Sequence, residues 1–266
     1  MKNLSNYILE AKTKIQDTDI RQPKSRFELE MLISGAFKRK QYDLNFIDIS
    51  KITDMSELFE DVKHNFDVSS WDVSNVKDMS YMFTDCFKFN CDLSNWDVSN
   101  VTDMSHMFDS CSIFIGKGLE NWDVSNVTNM YSMFLHCKKF DCDLSNWDMS
   151  NVINTSLMFS NCAKFTGKGI ENWNVSKVKN MYAMFGDCKN FNCDVSNWDV
   201  SNVTDMDSMF VNCKKFTGKG LENWNVSKVK TMRYMFNGCK FNYHELDWDL
   251  SGLSSQLKTF RNYLAD

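Results

Sequence analysis

Seven cysteines recur at a nearly constant interval: Cys86, Cys111, Cys137, Cys162, Cys188, Cys213 and Cys239. Three of them open a C-x4-C pair, at 86/91, 137/142 and 188/193. Thiolates at such spacing could hold a metal or exchange electrons. A structural zinc site, however, gathers close pairs into a set of four ligands. Here each ladder cysteine takes a place that Val62 fills in the first copy. The ladder therefore reads as a column of small buried hydrophobes, and neither a metal nor a cofactor is expected.

Serine presents the next opportunity for chemistry, since it recurs from Ser50 to Ser251 at one position. A nucleophilic serine needs a base and a group that orients the base. The four histidines, His64, His106, His136 and His244, share no repeat position, so no array of triads exists. These serines read as turn residues that bond the backbone. Two places before each lies an Asp (48, 72, 97, 123, 148, 199, 249) or an Asn (174, 225). Carboxylates in column some 5 Å apart repel by roughly 1 kcal/mol per neighbour in water, so something must offset them. Hydrogen bonds to backbone or to Asn amides of the adjoining copy would do so; a bound cation such as calcium or a basic partner are the alternatives. Asn174 and Asn225 show that no single charge is required.

These columns imply the element that positions them. All eight tryptophans fall at one repeat position, 71, 96, 122, 147, 173, 198, 224 and 248, at intervals of 25, 26, 25, 26, 25, 26 and 24. A strict period in the twenties is the signature of stacked coils. The alternation makes the unit a pair of coils: the longer ends in GKGLEN or GKGIEN (from Gly116, Gly167 and Gly218), the shorter in CDLSN or CDVSN (from Cys91, Cys142 and Cys193). Coil one begins degenerately at Ile47 and a truncated ninth begins at Trp248, where Gln256 and Thr259 replace the usual methionines.

Within a coil, Leu93 to Val98 alternates and predicts a strand, with Trp96 and Val98 inward and Asn95 and Asp97 outward. L-x-x-W-x-V has the spacing of the leucine-rich-repeat strand. Val101, Met104, Met107 and Phe108 recur at three and four, which predicts a short buried helix capped by Asp103. Cys111 and Phe114 complete the inward set. The expected fold is thus an α/β repeat solenoid, a leucine-rich-repeat-like right-handed coil with a parallel β-sheet along one face. Nine coils at about 4.8 Å would span roughly 40 Å. Residues 1–46 form a helical N-terminal cap and 47–266 the nine coils, the last truncated, in one continuous body. SNYILEAKTKIQ and SRFELEMLISGAFKRK read as helices; in the second, Phe27, Leu29, Leu32, Ile33 and Phe37 share a face, and Ser25 with Glu28 forms a capping box.

The motif W-D-V-S-N-V-T-D-M-S-x-M-F resembles the repeat of the BspA-like leucine-rich-repeat proteins, over about 47–260. The stretch from Pro23 to Phe46 resembles the cap that precedes such repeats. The resemblance implies a leucine-rich-repeat-like solenoid and a binding or adhesive role, a role that many members perform at bacterial surfaces.

Composition narrows the class further. A net charge of −5 argues against binding nucleic acid by neutralising phosphates. No run of eighteen apolar residues occurs, so no membrane span is expected. The first residues lack the apolar core of a signal peptide, so the ten cysteines are expected reduced in the cytoplasm; a particle or cell surface reached by a non-classical route is the alternative. The lysines, Lys117, Lys138, Lys139, Lys168, Lys214, Lys215 and Lys219 with Lys177, Lys179, Lys228 and Lys230, read as a solvated face. The function expected is a non-catalytic protein-interaction or structural scaffold. Its contact surface would be Asn95, Asp97, Asn121, Asp123, Asn146, Asp148, Asn172, Asn174, Asn197 and Asp199. A self-assembling coat, joined through the ends of the stack, and a surface adhesin are the alternatives; a metal-dependent enzyme would need a cluster that breaks the symmetry, such as His136 beside Cys137.

Overall fold

The structure is a computed structural model of the chain, and it describes residues 20–242, 246–251 and 253. The first of the two helices expected at the N-terminus, His244, and the polar substitutions Gln256 and Thr259 of the last coil lie outside the described residues.

Helix α1 (Arg26–Lys38) covers the open end of coil one. Its start is set by Ser25, whose hydroxyl accepts from the Glu28 amide. The Glu28 carboxylate accepts from the Lys24 amide, so the reciprocal bond reaches one residue beyond the N-cap. Leu29, Ile33 and Ala36 are buried, with Leu32 and Phe37 packed against the same core. Phe27, expected on that face, is 68% exposed.

The coils are built from tight turns. Among the described residues they contain no strand, and their only helical pieces are the short 3-10 turns Leu119–Asn121 and Leu221–Asn223. The expected α/β layering, the parallel sheet and the leucine-rich-repeat-like helix are therefore absent. Two local facts explain this. In the stretch predicted as a strand, the Trp96 amide bonds back to Leu93 O at 3.1 Å and the Val101 amide to Val98 O at 2.9 Å. Those are turn bonds, which a strand would have spent on its neighbour. In the stretch predicted as a helix, His106 and Ser110 have φ of 56° and 62°, and an α-helix of L-residues does not pass through that region.

Met104 to Cys111 is instead a run of overlapping turns. The amides of Met107, Asp109 and Cys111 bond within the coil to Met104, His106 and Phe108 carbonyls. The alternate amides, of Met104, His106, Phe108 and Ser110, reach the next coil at Asn129, Tyr131, Met133 and Leu135 carbonyls, 2.7–3.1 Å away. Of these eight amides, four thus join the coil to its neighbour, three close the coil, and that of Ser105 goes to Asp103 Oδ1. A single-residue parallel bridge per coil runs through Asp54, Asp78, Asp103, Asn129, Asn154, Asn180, Asp205 and Thr231.

Inside, like residues stack on like. Phe83, Phe108, Phe134 and Phe159 are fully buried, with successive ring centroids 5.4, 5.7 and 5.6 Å apart. Trp96 and Trp122 lie parallel at 6.3 Å. Each phenylalanine so covered is worth roughly 1.5–3 kcal/mol of burial, and no coil could cover it alone. The tryptophans also hold the stack by hydrogen bonds. Every indole donates to a carbonyl of the preceding coil, from Trp71 to Leu44 O at 3.0 Å through Trp248 to Leu221 O at 2.8 Å. The ladder cysteines repeat the device, as in Cys162 Sγ to Phe134 O at 2.9 Å.

The 51-residue unit has a structural cause. Gly118, at φ 95°, brings its Cα against the preceding coil so closely that a Cβ would sit 2.2 Å from Ser94 N. Gly116 leaves space on the other side, where a Cβ would lie 2.7 Å from the Phe140 ring and 2.8 Å from Cys142 Cβ. A GKG coil therefore fits between two CD-x-S-N coils, and the two types must alternate.

Candidate interaction surface

The Asp/Asn column one residue after tryptophan lies on the outside of the stack. Its carboxylates are not paired through Asn amides of the adjoining coil. Each Oδ1 accepts from the backbone amide two residues on, at the recurrent serine: Asp97 from Ser99 at 3.0 Å, Asp123 from Ser125 at 3.0 Å, Asp148 from Ser150 at 2.9 Å and Asp199 from Ser201 at 3.0 Å. This is an Asx turn. Asn174 and Asn225 make the same bond through their amide oxygen, at 3.2 and 3.1 Å. An oxygen at Oδ1 is all the turn requires, so charge is optional at any one coil. The serine hydroxyl of Ser74, Ser176 or Ser227 bonds back to that oxygen. The Ser125 hydroxyl and amide hold the Asp123 carboxyl below its usual range, and Ser201 does the same for Asp199.

All ten residues assigned to the contact surface are exposed. Asn95, Asn146 and Asn197 donate to the preceding coil, at Ser69 O, Glu120 O and Asn172 Oδ1. Asn121 ends a 3-10 turn. Asp97, Asp123 and Asp148 are exposed, and among the described residues no donor is bonded to their second oxygens. Together the residues form a regular polar strip, one Asp or Asn on each side of every tryptophan from Trp96 to Trp198.

Two further Asx columns were legible only as scattered aspartates. Asp103 accepts from the Ser105 amide at 2.8 Å, so it holds a turn where a helix cap was expected. Asp92, Asp143 and Asp194 accept from Ser94, Ser145 and Ser196. The signal was the spacing D-x-S, which occurs three times in a shorter coil, as at Asp72, Asp78 and Asp92. Asn100 and its counterparts add a ladder four residues past tryptophan, Asn100 Nδ2 reaching Ser74 O at 2.8 Å and Asn126 Nδ2 reaching Ser99 O at 2.7 Å.

The lysines divide into two sets. Lys117, Lys168 and Lys219 of the GKG loops pair with Asp92, Asp143 and Asp194 of the preceding coil at 2.6, 3.1 and 2.7 Å. These ammonium groups, with the serine donors, pull Asp92 and Asp194 down to about 2 and lower Asp143. Lys177 and Lys228 bond Asn151 and Asn202 at 2.6 and 2.7 Å. They too join coils, where a solvated face was expected. Lys138, Lys139, Lys164, Lys189, Lys214 and Lys215 follow the ladder cysteines, are exposed, and form none of the ion pairs among the described residues.

The residues with catalytic potential do not converge. His106 Nδ1 lies 3.0 Å from Asp109 Oδ2, its ring stacked 4.3 Å over Tyr81. The neighbouring hydroxyl of that column, Ser132, is fully buried and has no hydrogen-bond partner, so no substrate carbonyl reaches it. All ten cysteines are free, nine of them buried. Burial pushes the Cys86, Cys91, Cys142 and Cys193 thiols up to about 12 and raises Cys162 well above the ordinary thiol value, so these groups carry little thiolate at neutral pH. Among the described residues no group of three His, Cys, Asp or Glu is placed to hold a metal, and no helix is long and apolar enough to cross a membrane.

Residues 28–117, 92–169 and 158–265 each match a family described as a Mycoplasma protein of unknown function, DUF285. No curated protein and no solved structure matches the chain.

Proposed function

This chain belongs to the DUF285 family, and we propose that it is a non-catalytic scaffold that presents its Asp/Asn column to a protein partner. The observation that carries the reading is the division of labour within each carboxylate. Oδ1 is spent on an Asx turn that fixes the side chain, and at the exposed Asp97, Asp123 and Asp148 the second oxygen takes no donor among the described residues. Fixed acceptors on a stiff body lose little side-chain freedom when a partner binds. The resemblance of W-D-V-S-N-V-T-D-M-S-x-M-F to BspA-like repeats supports a binding role, and free, buried thiols support a reducing, cytoplasmic setting.

The test keeps the turns and removes the charge. The triple variant Asp97→Asn, Asp123→Asn, Asp148→Asn retains every Oδ1, as Asn174 and Asn225 already do. It is expected to fold normally and to lose a partner captured by the unaltered chain from its source. Capture at undiminished yield by the variant refutes the assignment of this face.

A further inference from the structure

We propose that the unpaired lysines dock on the Asp/Asn column of a second copy of this chain, side against side. This rests on the reading of that column as a contact surface and names the partner that its chemistry fits.

The chain itself displays the contact. At Asp92, Oδ1 accepts from the Ser94 amide at 3.0 Å while Oδ2 takes the Lys117 ammonium at 2.6 Å. Asp143 with Lys168 and Asp194 with Lys219 repeat it. An Asx-turn aspartate is therefore a ready lysine acceptor through its second oxygen. Asp97, Asp123 and Asp148 have the same turn and no lysine.

The complementary half is on another flank. Lys138, Lys139, Lys164, Lys189, Lys214 and Lys215 line one ridge, each just past a ladder cysteine, all exposed and with no carboxylate in an ion pair among the described residues. Between the column and the ridge the chain turns at Met104–Met107 and again at Phe108–Cys111. Among the described residues no ion pair joins the ridge to its own column. A second copy can supply one, and because both rows rise by one coil, a match at one rung is a match at the next. Each row is also self-repelling while alone, since like charges stand one coil apart. The contact is head-to-tail in kind, ridge to column, and leaves a free ridge and a free column for further copies.

The experiment is sedimentation velocity on the whole chain over a range of concentrations, at low ionic strength and in ~1 M salt, where the screening length falls to about 3 Å. The expected result is mass that grows with concentration at low salt and a monomer at high salt. Two variants give the decisive arm. One reverses the ridge (Lys138→Glu, Lys139→Glu, Lys214→Glu, Lys215→Glu). The other reverses the column but keeps its turns (Asp97→Asn, Asp123→Asn, Asp148→Asn, Asn121→Lys, Asn172→Lys). Each alone should be monomeric, and their mixture should associate. A wild-type chain that stays monomeric at low salt overturns the proposal, as does a ridge variant that associates like the wild type. A monomer that binds phosphatidylserine vesicles through the ridge overturns it in favour of a lipid surface. If the wild type is monomeric but the neutral triple variant still loses a captured partner, self-docking fails and the scaffold reading stands. If the wild type self-associates and that variant captures its partner undiminished, the reverse holds.

Discussion

Replacing Glu57 by glycine should make this protein more stable, against the usual effect of glycine in regular structure. Glu57 sits in the first turn run, exposed, at φ 59°. Its amide bonds Ser80 O at 2.9 Å and its carbonyl accepts from the Glu60 amide at 3.1 Å, so the conformation is held by backbone bonds that glycine keeps. An L-residue in the left-handed region costs about 1–2 kcal/mol. Glycine removes that and costs about 0.5–1 kcal/mol through its freer unfolded chain. The net gain is about 0.5–1 kcal/mol, read as a rise of roughly 1–4 °C in melting temperature. Glu60, three residues on and exposed, is not among the positive-φ residues. Glu60→Gly should therefore lose about 0.5–1 kcal/mol. Urea unfolding followed by tryptophan fluorescence measures both. Tyr234, exposed at φ 57° in a distant coil, should contribute a similar gain, additive with the first because the sites share no partner. A helix over the same stretch would make both glutamate variants lose about 1 kcal/mol. Equal losses at Glu57 and Glu60 would refute the run of turns.

Gly118→Ala should be severely destabilising, by about 3 kcal/mol or more, because φ is 95° and the new Cβ would meet the Ser94 backbone; a variant that melts with the wild type would show that the close approach is not real. Acid should weaken the stack over a defined window. Asp92, Asp143 and Asp194 have folded pKa values below the unfolded value near 3.9, so their stabilisation is complete above about pH 4 and is lost as pH falls toward about 2. The variant Asp92→Asn, Asp143→Asn, Asp194→Asn should show a flatter stability profile between those limits, measured by urea midpoints at each pH. Thiol labelling of the native protein should be blocked at the nine buried cysteines and begin at Cys239, with all ten reacting in denaturant; fast native labelling of Cys111 or Cys162 would contradict the stacked interior.

The repeat unit, the inward set and the 25/26 alternation were legible in the residues, because burial leaves a periodic mark whatever the backbone does. Trp96, Val98, Met104, Met107, Phe108, Cys111 and Phe114 are all buried as expected. The D-x-S and N-x-S spacing also marked which polar residues line the outside of each coil. The sequence did not determine the backbone. Inward residues at 104, 107, 108 and 111 suit a helix and suit overlapping turns equally well, since both return a side chain to the same side after three or four residues. What decides is where each amide finds a carbonyl, and four of the carbonyls that serve residues 104–111 lie a whole coil away, as Asn129, Tyr131 and Met133 do for Met104, His106 and Phe108. The same is true of the lysines. Lys117 and Lys138 look alike along the chain, and only the stacking of Gly118 on Ser94 brings Asp92 to the first and leaves the second without a partner.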